Sequence, residues 1–504
     1  MLYAAPPVGP LRWKAPRPPA SWEGVRPATA YGPVAPQPPV PPSSLYFPGE
    51  RPQSEDCLHL NVWSPAEPEE PRPVIVWFHI GAFLYGSGSA GAGPSSDYDG
   101  EAPARAGVVA VTVNHRLGRL GFLAHPWLTA ESPEGASGNY GLLDQIAALR
   151  WVQENIAAFG GDPSRVTVAG VSAGAAAVSA LMSSPLARGL FHRAIAGSGG
   201  LFGPVAESVG INDLLQDLPA AERSGTRLTG LLGVRSLDEL RALGPAELAA
   251  AHLPAERPFR MAFLPVPVGR GDFDTAWPVV DGHVLPRSPY EVFSAGEQAH
   301  VPLLTGNAAG EAAAMPRLGD AAAYRADAER EYGDLAGRFL SLYPAETDEE
   351  AVTASATANG DRIFTWQNRT WARLHARTGG ATWLYRWEHE PPVPDGYAEG
   401  RPGAFHACEI PYAFGTLDAR DWEWRPIDRE LAATLSGYWT AFAATGDPNG
   451  GGRPSWQPYV PDRPAALSFA ARITQGPLPD AARLALLDEH YSRLRDLPSG
   501  RMNA

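Results

Sequence analysis

Continuous apolar runs predict strands that are buried on both faces of a sheet. The clearest are residues 73–78 and 108–113, which are almost entirely valine, isoleucine and aromatic side chains. Residues 56–63 instead alternate apolar and polar positions, and residues 141–160 place leucine, isoleucine and valine on one stripe of a helix. Strands that alternate with helices in this way predict an α/β fold with a mostly parallel central sheet that is flanked by helices.

The chain from residue 205 onward adds two predicted strands and two helix-rich regions. Val301–Thr305 and Ala381–Trp387 are the strand candidates. Residues 205–260 and 311–375 are rich in helix formers and charged side chains, so we expect helical insertions around the sheet. No internal repeat or long linker interrupts the pattern, and residues 1–504 are therefore predicted to form one domain.

Charge and cysteine content narrow the class of protein. The formal net charge of −14 argues against nucleic acid or an anionic membrane surface as a partner. The two cysteines, Cys57 and Cys408, are too few for a disulfide scaffold and favour a reducing compartment. The chain shows neither a basic, apolar leader nor a run of membrane-spanning length. We expect a cytoplasmic protein, with secretion only if a leader precedes residue 1.

One serine has the local sequence of an enzymatic nucleophile. The β-prone run 165–169 leads directly into Gly170-Val-Ser172-Ala-Gly174, and helix formers follow it. This context predicts a sharp strand-to-helix turn whose glycines leave room that a Cβ atom would fill. Ser172 would then stand at a helix N-terminus, where backbone N–H groups favour negative charge.

A serine nucleophile needs a base within hydrogen-bond reach and an acid that orients the base. In open α/β sheets these groups follow the carboxyl ends of strands. Glu311 is the first carboxylate after Val301–Thr305, and both His389 and His406 follow Ala381–Trp387. Either histidine preserves the chain order serine, acid, histidine, so position alone leaves the base undecided.

Eight stretches, spread over nearly the whole chain, resemble the carboxylesterase type B family, which includes the cholinesterases and the bacterial para-nitrobenzyl esterases. They are Tyr3–Arg12, Glu55–Trp63, Asn114–Phe122, Gly138–Gln145, Phe159–Pro163, Gly170–Gly174, Pro278–Pro286 and Thr445–Asn449. The resemblance implies an α/β-hydrolase fold, with residues 1–504 as a single catalytic domain, and it implies ester hydrolysis.

The same resemblance implies roles for individual residues. Ser172 matches the nucleophile, and Glu311 matches the acid of the catalytic triad. His406, in a His-Ala-Cys-Glu segment, matches the triad histidine, which leaves His389 as a bystander. Ser198 matches a serine that supports the acid by hydrogen bonding and does not itself contact the substrate.

The oxyanion hole is implied in the turn after Phe78, together with the N–H of Ala173. The turn places backbone donors at Gly81 and Ala82, and each donor aimed at the oxyanion is worth roughly 10²–10³ in rate. Ile80 replaces the first glycine of the family pattern, and a β-branched residue is an outlier at positive φ. We expect Ile80 to narrow or redirect the acyl-side pocket without abolishing the hole.

Further departures from the family pattern affect the surroundings of the site. Val171 replaces a glutamate beside the nucleophile, which removes a buried charge. Ala308 and Gly310 replace an asparagine and an aspartate in the loop before the triad acid. Cys57 matches a cysteine that is disulfide-bonded in eukaryotic members, but no upstream cysteine exists here. The family's β-segment ahead of Tyr3 is missing, so we expect a bare sheet edge or a missing leader.

The sequence therefore predicts a serine carboxylesterase that works through an acyl-enzyme intermediate, as a monomer or weak homo-oligomer. This chemistry requires no metal and no organic cofactor. The alternatives are a hydrolase for a specialised ester, carbamate or lactone, and an esterase-like binding protein without activity. The substrate itself is not predicted, because the variable insertions line the pocket.

Overall fold

The structure, a computed structural model, describes residues 1–65, 70–89, 97–211, 213–253, 270–315 and 317–496. The strands are β1 (Leu60–Trp63), β2 (Arg72–Phe78), β3 (Val109–Val113), β4 (Gly161–Val171), β5 (Arg193–Gly197), β6 (Gln216–Asp217), β7 (Val279–Val280), β8 (Leu303–Ala308), β9 (Thr382–Trp387), β10 (Ala465–Phe469) and β11 (Thr474–Pro477).

The α-helices surround these strands. They are α1 (Glu101–Arg105), α2 (Gly118–Phe122), α3 (Pro126–Glu131), α4 (Tyr140–Asn155), α5 (Ala173–Ser183), α6 (Leu218–Leu231), α7 (Leu237–Ala242), α8 (Pro245–Ala250), α9 (Arg270–Phe273), α10 (Pro289–Ser294), α11 (Ala321–Tyr332), α12 (Ala336–Leu342), α13 (Asp348–Gly360), α14 (Trp366–Arg377), α15 (Ile410–Phe414), α16 (Pro426–Thr445) and α17 (Ala481–Asp496). Single 3₁₀ turns occupy Gly9–Leu11, Ile156–Phe159, Pro185–Ala187, Glu311–Ala314, Gly333–Leu335 and Leu417–Ala419, and a π-helix occupies Asp361–Thr365.

A nine-stranded sheet with the order β1-β3-β2-β4-β5-β8-β9-β10-β11 forms the centre of the fold. Its seven inner strands are parallel, and the edge strands β1 and β11 pair antiparallel to their neighbours. The side chains of β3, and those of β2 after its first residue, are buried. Because a parallel strand is covered on both faces, its sequence is continuously apolar, as predicted for these two runs.

The strand predicted at Val301–Thr305 lies slightly later in the structure. Strand β8 begins at Leu303 and continues to Ala308, because Gly306 and Asn307 still pair with β9. The apolar pattern ends before these residues. A Cβ atom at Gly306 would lie 2.3 Å from the Tyr385 ring, so glycine is required for the close approach of the two strands.

The two regions that were expected to be helical insertions hold helices in the described residues. The first contains α6, α7 and α8, and residues 254–260 of it lie outside the described part of the chain. The second contains α11 to α14 and the π-helix. No helix in the described ranges is long and apolar enough to cross a membrane.

The outer edge of β1 is paired over its first residue. Met1 and Leu60 exchange two hydrogen bonds of 2.8 Å, and Leu2 forms an antiparallel bridge with His59. The first two residues of the chain therefore pair with the start of the β1 edge, which was expected to be bare in one of the two alternatives.

Candidate active site

Ser172 occupies the sharp turn that the sequence predicts between a strand and a helix. Strand β4 ends at Val171, helix α5 begins at Ala173, and Ser172 between them has φ 59° and ψ −124°. Such a backbone conformation costs a non-glycine residue about 1–3 kcal/mol. The N–H of Ser172 donates to the carbonyl of Gly197 at 2.9 Å, which helps to hold the turn.

The glycines around Ser172 are required by space. A Cβ atom at Gly174 would lie 2.1 Å from the carbonyl oxygen of Phe78, and one at Gly170 would lie 2.4 Å from the backbone of Gly174. At Gly199 it would lie 2.3 Å from the carbonyl oxygen of Ser172. Neither Gly170 nor Gly174 has a positive φ, so the backbone strain of the motif falls on the serine.

The structure brings Glu311 and His406 together. The Nδ1 atom of His406 lies 2.6 Å from Oε2 of Glu311, and both side chains are buried. The other oxygen of Glu311 accepts the N–H of Ala308 at 3.0 Å. A parallel bridge between Gly310 and Phe405 joins the two loops. The loop after β9 therefore folds back onto the loop after β8.

Ser198 was expected to hydrogen-bond the acid, and in the described contacts it shares a backbone donor with Glu311 instead. Its Oγ accepts the N–H of Ala308 at 3.3 Å, the same N–H that donates to Glu311. Ser198 also has a positive φ of 49°. The described contacts thus connect Ser198 and the carboxylate through a shared backbone amide.

His389, the other candidate base, belongs to a different cluster. Its Nε2 lies 2.5 Å from Oδ1 of Asp428, which also accepts the hydroxyl of Tyr412 at 2.8 Å. The Arg425 guanidinium donates to the same carboxylate at 2.8 Å. His389 is therefore held by the start of α16, and Glu311 orients His406 instead.

The turn after β2 has the unusual backbone of a donor loop. Gly81, Ala82 and Phe83 all have positive φ values, of 123°, 52° and 57°, whereas Ile80 does not. In the described residues, no hydrogen bond engages the N–H groups of Gly81, Ala82 or Ala173. These three amides therefore remain available to an oxyanion.

Two buried imidazoles stack behind this turn. The rings of His79 and His115 have centroids 4.7 Å apart and an angle of 8° between their planes. The Nδ1 of His79 bonds the carbonyl of Ile80 at 2.7 Å. Burial lowers the pKa of His79 to about 3, with a smaller contribution from His115, and burial lowers the pKa of His115 to about 4. Both rings are therefore neutral at pH 7.

Ser172 and His406 line one small cavity of about 40 Å³. Its walls include Trp277, Met315, Ile363 and Phe364. Apart from His406, no acidic or basic side chain lines it among the described residues. The lining around Ser172 and His406 is therefore mostly apolar. Sequence reasoning assigned no role to these four wall residues.

Ile80 does not line the cavity that contains Ser172. It lines a neighbouring cavity of about 30 Å³, together with Tyr46, Phe47 and Tyr85. His406 contacts both cavities. Ile80 was expected to narrow or redirect the acyl-side pocket, but it lines this second cavity and not the one that contains Ser172.

A second buried carboxylate, Glu409, lies three residues after His406. Burial, and then the negative charge of Glu311, raise the pKa of Glu409 to about 7. The Tyr385 hydroxyl donates to it at 3.1 Å. In the sequence Glu409 is visible only as the last residue of the His-Ala-Cys-Glu segment, where nothing distinguishes a buried acid from an exposed one.

Val171 and both cysteines are buried. Val171 is buried in the apolar core, where a glutamate would need a partner. Cys57 and Cys408 are both buried free thiols, as expected for a chain without the family's disulfide.

Comparison with known proteins identifies the family. The model of the carboxylesterase family matches residues 1–483. The fumonisin B1 esterase of Sphingopyxis macrogoltabida is 36% identical over 488 residues, which cover 94% of this chain and 83% of that protein. The para-nitrobenzyl esterase of Bacillus subtilis (strain 168) is 35% identical over 480 residues, covering 94% of this chain and 90% of that one.

The fold agrees with this relationship. A solved structure of a PNB esterase superposes with a TM-score of 0.79 at 32% identity, covering 99% of this chain and 95% of the other. The α/β-hydrolase fold and the resemblance noted in the sequence are thereby confirmed. The chain belongs to the carboxylesterase family and is a carboxylic ester hydrolase.

Proposed function

We propose that Ser172, His406 and Glu311 form the catalytic triad of this esterase. The observation that carries the proposal is the 2.6 Å hydrogen bond between Nδ1 of His406 and Glu311, made by a histidine that lines the same cavity as Ser172. A carboxylate accepts only, so Nδ1 carries the proton and Nε2 presents a lone pair. That lone pair is the base that a serine hydroxyl requires.

The reaction proceeds by two acyl transfers. Ser172 Oγ bonds to the ester carbonyl carbon while Nε2 of His406 takes the hydroxyl proton. The carbon–alkoxy bond then breaks, and the same proton passes to the departing alcohol. A water molecule next attacks the acyl-enzyme, gives a proton to His406, and displaces Ser172, which recovers that proton. Each turnover converts one ester and one water into an acid and an alcohol.

The N–H groups of Gly81, Ala82 and Ala173 are proposed to hold the oxyanion. These N–H groups carry no other hydrogen bond in the described residues. Gly81 and Ala82 lie in a turn whose backbone has unusual, positive φ values. Donors that are already fixed in place need no reorganisation when charge develops on the oxygen. The stacked imidazoles of His79 and His115 support this turn from behind.

The substrate class follows from the cavity chemistry. Because no acidic or basic side chain other than His406 lines the cavity among the described residues, the lining favours an uncharged ester. The names of the relatives refer to different esters, so the family match does not select one of them.

We further propose that residues 1–504 form one catalytic domain that acts in the cytoplasm as a monomer or weak homo-oligomer. The two buried free thiols support a reducing compartment. The net charge of −14 supports the absence of nucleic-acid and anionic-membrane partners.

The two histidines provide a matched test. His406→Ala should reduce kcat with p-nitrophenyl acetate by at least about 10³-fold, because the serine loses its base. His389→Ala, which removes a histidine that also follows β9, should retain kcat within about threefold, since His389 is hydrogen-bonded to Asp428 and not to Glu311. A larger loss in the His389 variant, with a folded protein, would reassign the base.

A further inference from the structure

A buried ion pair borders the second cavity, the one that Ile80 lines. Asp97 and Arg420 line this cavity together with His406, so the proposed base and the ion pair face the same space. One oxygen of Asp97 accepts Nε of Arg420 at 2.8 Å, and the other oxygen accepts Nη2. Asp97 is only 7% exposed and Arg420 only 9%. The two-point contact supplies the partner that each buried charge requires, and it fixes the guanidinium in the cavity wall.

One nitrogen of the Arg420 guanidinium is left over. Its Nη1 is buried and has no hydrogen-bond partner in the part of the chain that the structure describes. The Trp422 ring lies against the guanidinium, with its centroid 4.8 Å from Cζ. A buried donor without an acceptor costs free energy, and more so when the donor is charged. Nη1 is therefore the donor that Arg420 has left for an occupant of the second cavity.

The charges around the second cavity favour an uncharged acceptor over an anion. Asp97 already balances the charge of Arg420. Glu399 adds a further negative charge, because it accepts the Ser44 hydroxyl at 2.6 Å and the N–H of Leu45, a wall residue, at 3.0 Å. An anion would thus meet two negative charges and one positive charge. A neutral oxygen meets no such repulsion.

Two tyrosine hydroxyls in the same wall are already engaged as donors. The Tyr46 hydroxyl donates to the carbonyl of His406 at 3.3 Å, and the Tyr98 hydroxyl donates to the carbonyl of Ser87 at 2.8 Å. A hydroxyl has one hydrogen to donate. Burial raises the pKa of both tyrosines above the usual value, so both are neutral at pH 7. The fixed Nη1 of Arg420 is consequently the better donor for an occupant.

We propose that the second cavity is a subsite for an uncharged, hydrogen-bond-accepting group of the ester, such as an ether or carbonyl oxygen, which Nη1 of Arg420 binds. The reacting carbonyl lies at Ser172, and His406 borders both cavities. The oxygen therefore belongs to a group that extends from the ester past the imidazole. The inference deepens the proposed ester hydrolysis and rests on the triad proposed above.

The subsite selects oxygenated esters over alkyl esters of the same length. Exchange of the bound oxygen for a methylene group leaves a buried, charged donor unpaired, which a site built for a hydrogen bond penalises strongly. We expect a preference of about 10-fold or more in kcat/KM for the ether over the matched alkyl ester.

The substrates are pairs of esters that differ by this one exchange. In the alcohol group, 2-methoxyethyl propanoate is matched with butyl propanoate, and 4-methoxybutyl propanoate with hexyl propanoate. In the acyl group, ethyl 4-methoxybutanoate is matched with ethyl hexanoate. Monoethyl glutarate places a carboxylate at the position of that ether. Acid release gives kcat/KM, and each ether-to-alkyl ratio is divided by the ratio for hydroxide-catalysed hydrolysis.

Two lysine variants separate the subsite from general effects of a buried arginine. Arg420→Lys keeps a positive charge beside Asp97 but lacks the second terminal nitrogen of the guanidinium. Arg119→Lys is the matched control, because Arg119 is also buried and its Nη2 lies 3.3 Å from Oδ1 of Asp272. Arg119 is not among the described residues that line either cavity with His406. Titration with an organophosphate counts the competent active sites.

Wild type should favour the ether in at least one pair by about 10-fold or more. Arg420→Lys should lose most of this preference, whereas Arg119→Lys should keep it. The pair that shows the preference identifies whether the alcohol group or the acyl group enters the second cavity. Monoethyl glutarate should be a poorer substrate of wild type than ethyl 4-methoxybutanoate.

Three results would overturn the subsite. A wild type without an ether preference in any pair would do so, and this result requires no variant to fold. A preference that survives in Arg420→Lys, or that Arg119→Lys loses equally, would remove the role of Nη1. A preference for monoethyl glutarate that disappears in Arg420→Lys would make the ligand an anion. Failure of the triad proposal is distinct, since wild type would then hydrolyse p-nitrophenyl acetate without an acyl-enzyme burst.

Discussion

Replacing Glu409 by glutamine should change how the stability of the protein depends on pH. Burial, followed by the charge of Glu311, raises the pKa of this carboxyl from 4.5 to about 7. Between these two pH values the native protein keeps a proton that the unfolded chain has released. Raising the pH therefore favours unfolding across this window, and the loss is complete by about pH 8.

The magnitude follows from the width of the window. About 2.5 pH units, at about 1.4 kcal/mol each, give roughly 3 kcal/mol of stability that wild type loses between about pH 4.5 and about pH 8. Glutamine has nearly the same shape, still accepts the Tyr385 hydroxyl, and does not titrate. The variant should therefore lack this loss.

The assay is urea unfolding of wild type and Glu409→Gln at both pH values. The difference in unfolding free energy should shift by roughly 3 kcal/mol in favour of the variant at the higher pH. Glu423→Gln, which removes an exposed carboxyl, controls for the loss of one negative charge. A pH-independent difference for Glu409→Gln would refute the account of its burial.

Two further predictions concern the turn that carries the oxyanion donors. His115→Phe should keep the stack on His79 but remove a group whose pKa is lowered to about 4. Wild type loses stability as the pH falls from 6.5 toward 4, because the unfolded chain takes up the proton first. The free energy of unfolding obtained from thermal unfolding curves should therefore fall by roughly 3 kcal/mol less in the variant. Ile80→Gly should enlarge the second cavity, which Ile80 lines, and raise kcat/KM for esters with bulkier groups; unchanged kcat/KM ratios across an ester panel would contradict this expectation.

The residues of the proposed triad were accessible to sequence reasoning because they obey general rules. A buried run before Gly170–Gly174 predicts the turn at Ser172, and the strand-end rule points to Glu311. The choice between His389 and His406 needed the family resemblance. It depends on a loop that returns to Gly310 through a backbone bridge, and no local pattern indicates such a return.

Other features depend on geometry that leaves little trace in the sequence. The π-helix at Asp361–Thr365 differs from an α-helix by one residue per turn, so the apolar pattern of the region predicts a helix but not the direction of Phe364. The position of Ile80 depends on positive φ values that begin only at Gly81. The raised pKa of Glu409 depends on burial by distant segments of the chain.

Identification of the residue that an organophosphate modifies tests the central claim most directly. Peptide mass mapping after inactivation should find one adduct, on Ser172, in proportion to the activity lost. Ser172→Ala should show neither the adduct nor a burst of p-nitrophenol. An adduct on another residue that accounts for the lost activity, or a burst that persists in Ser172→Ala, would contradict the proposed nucleophile.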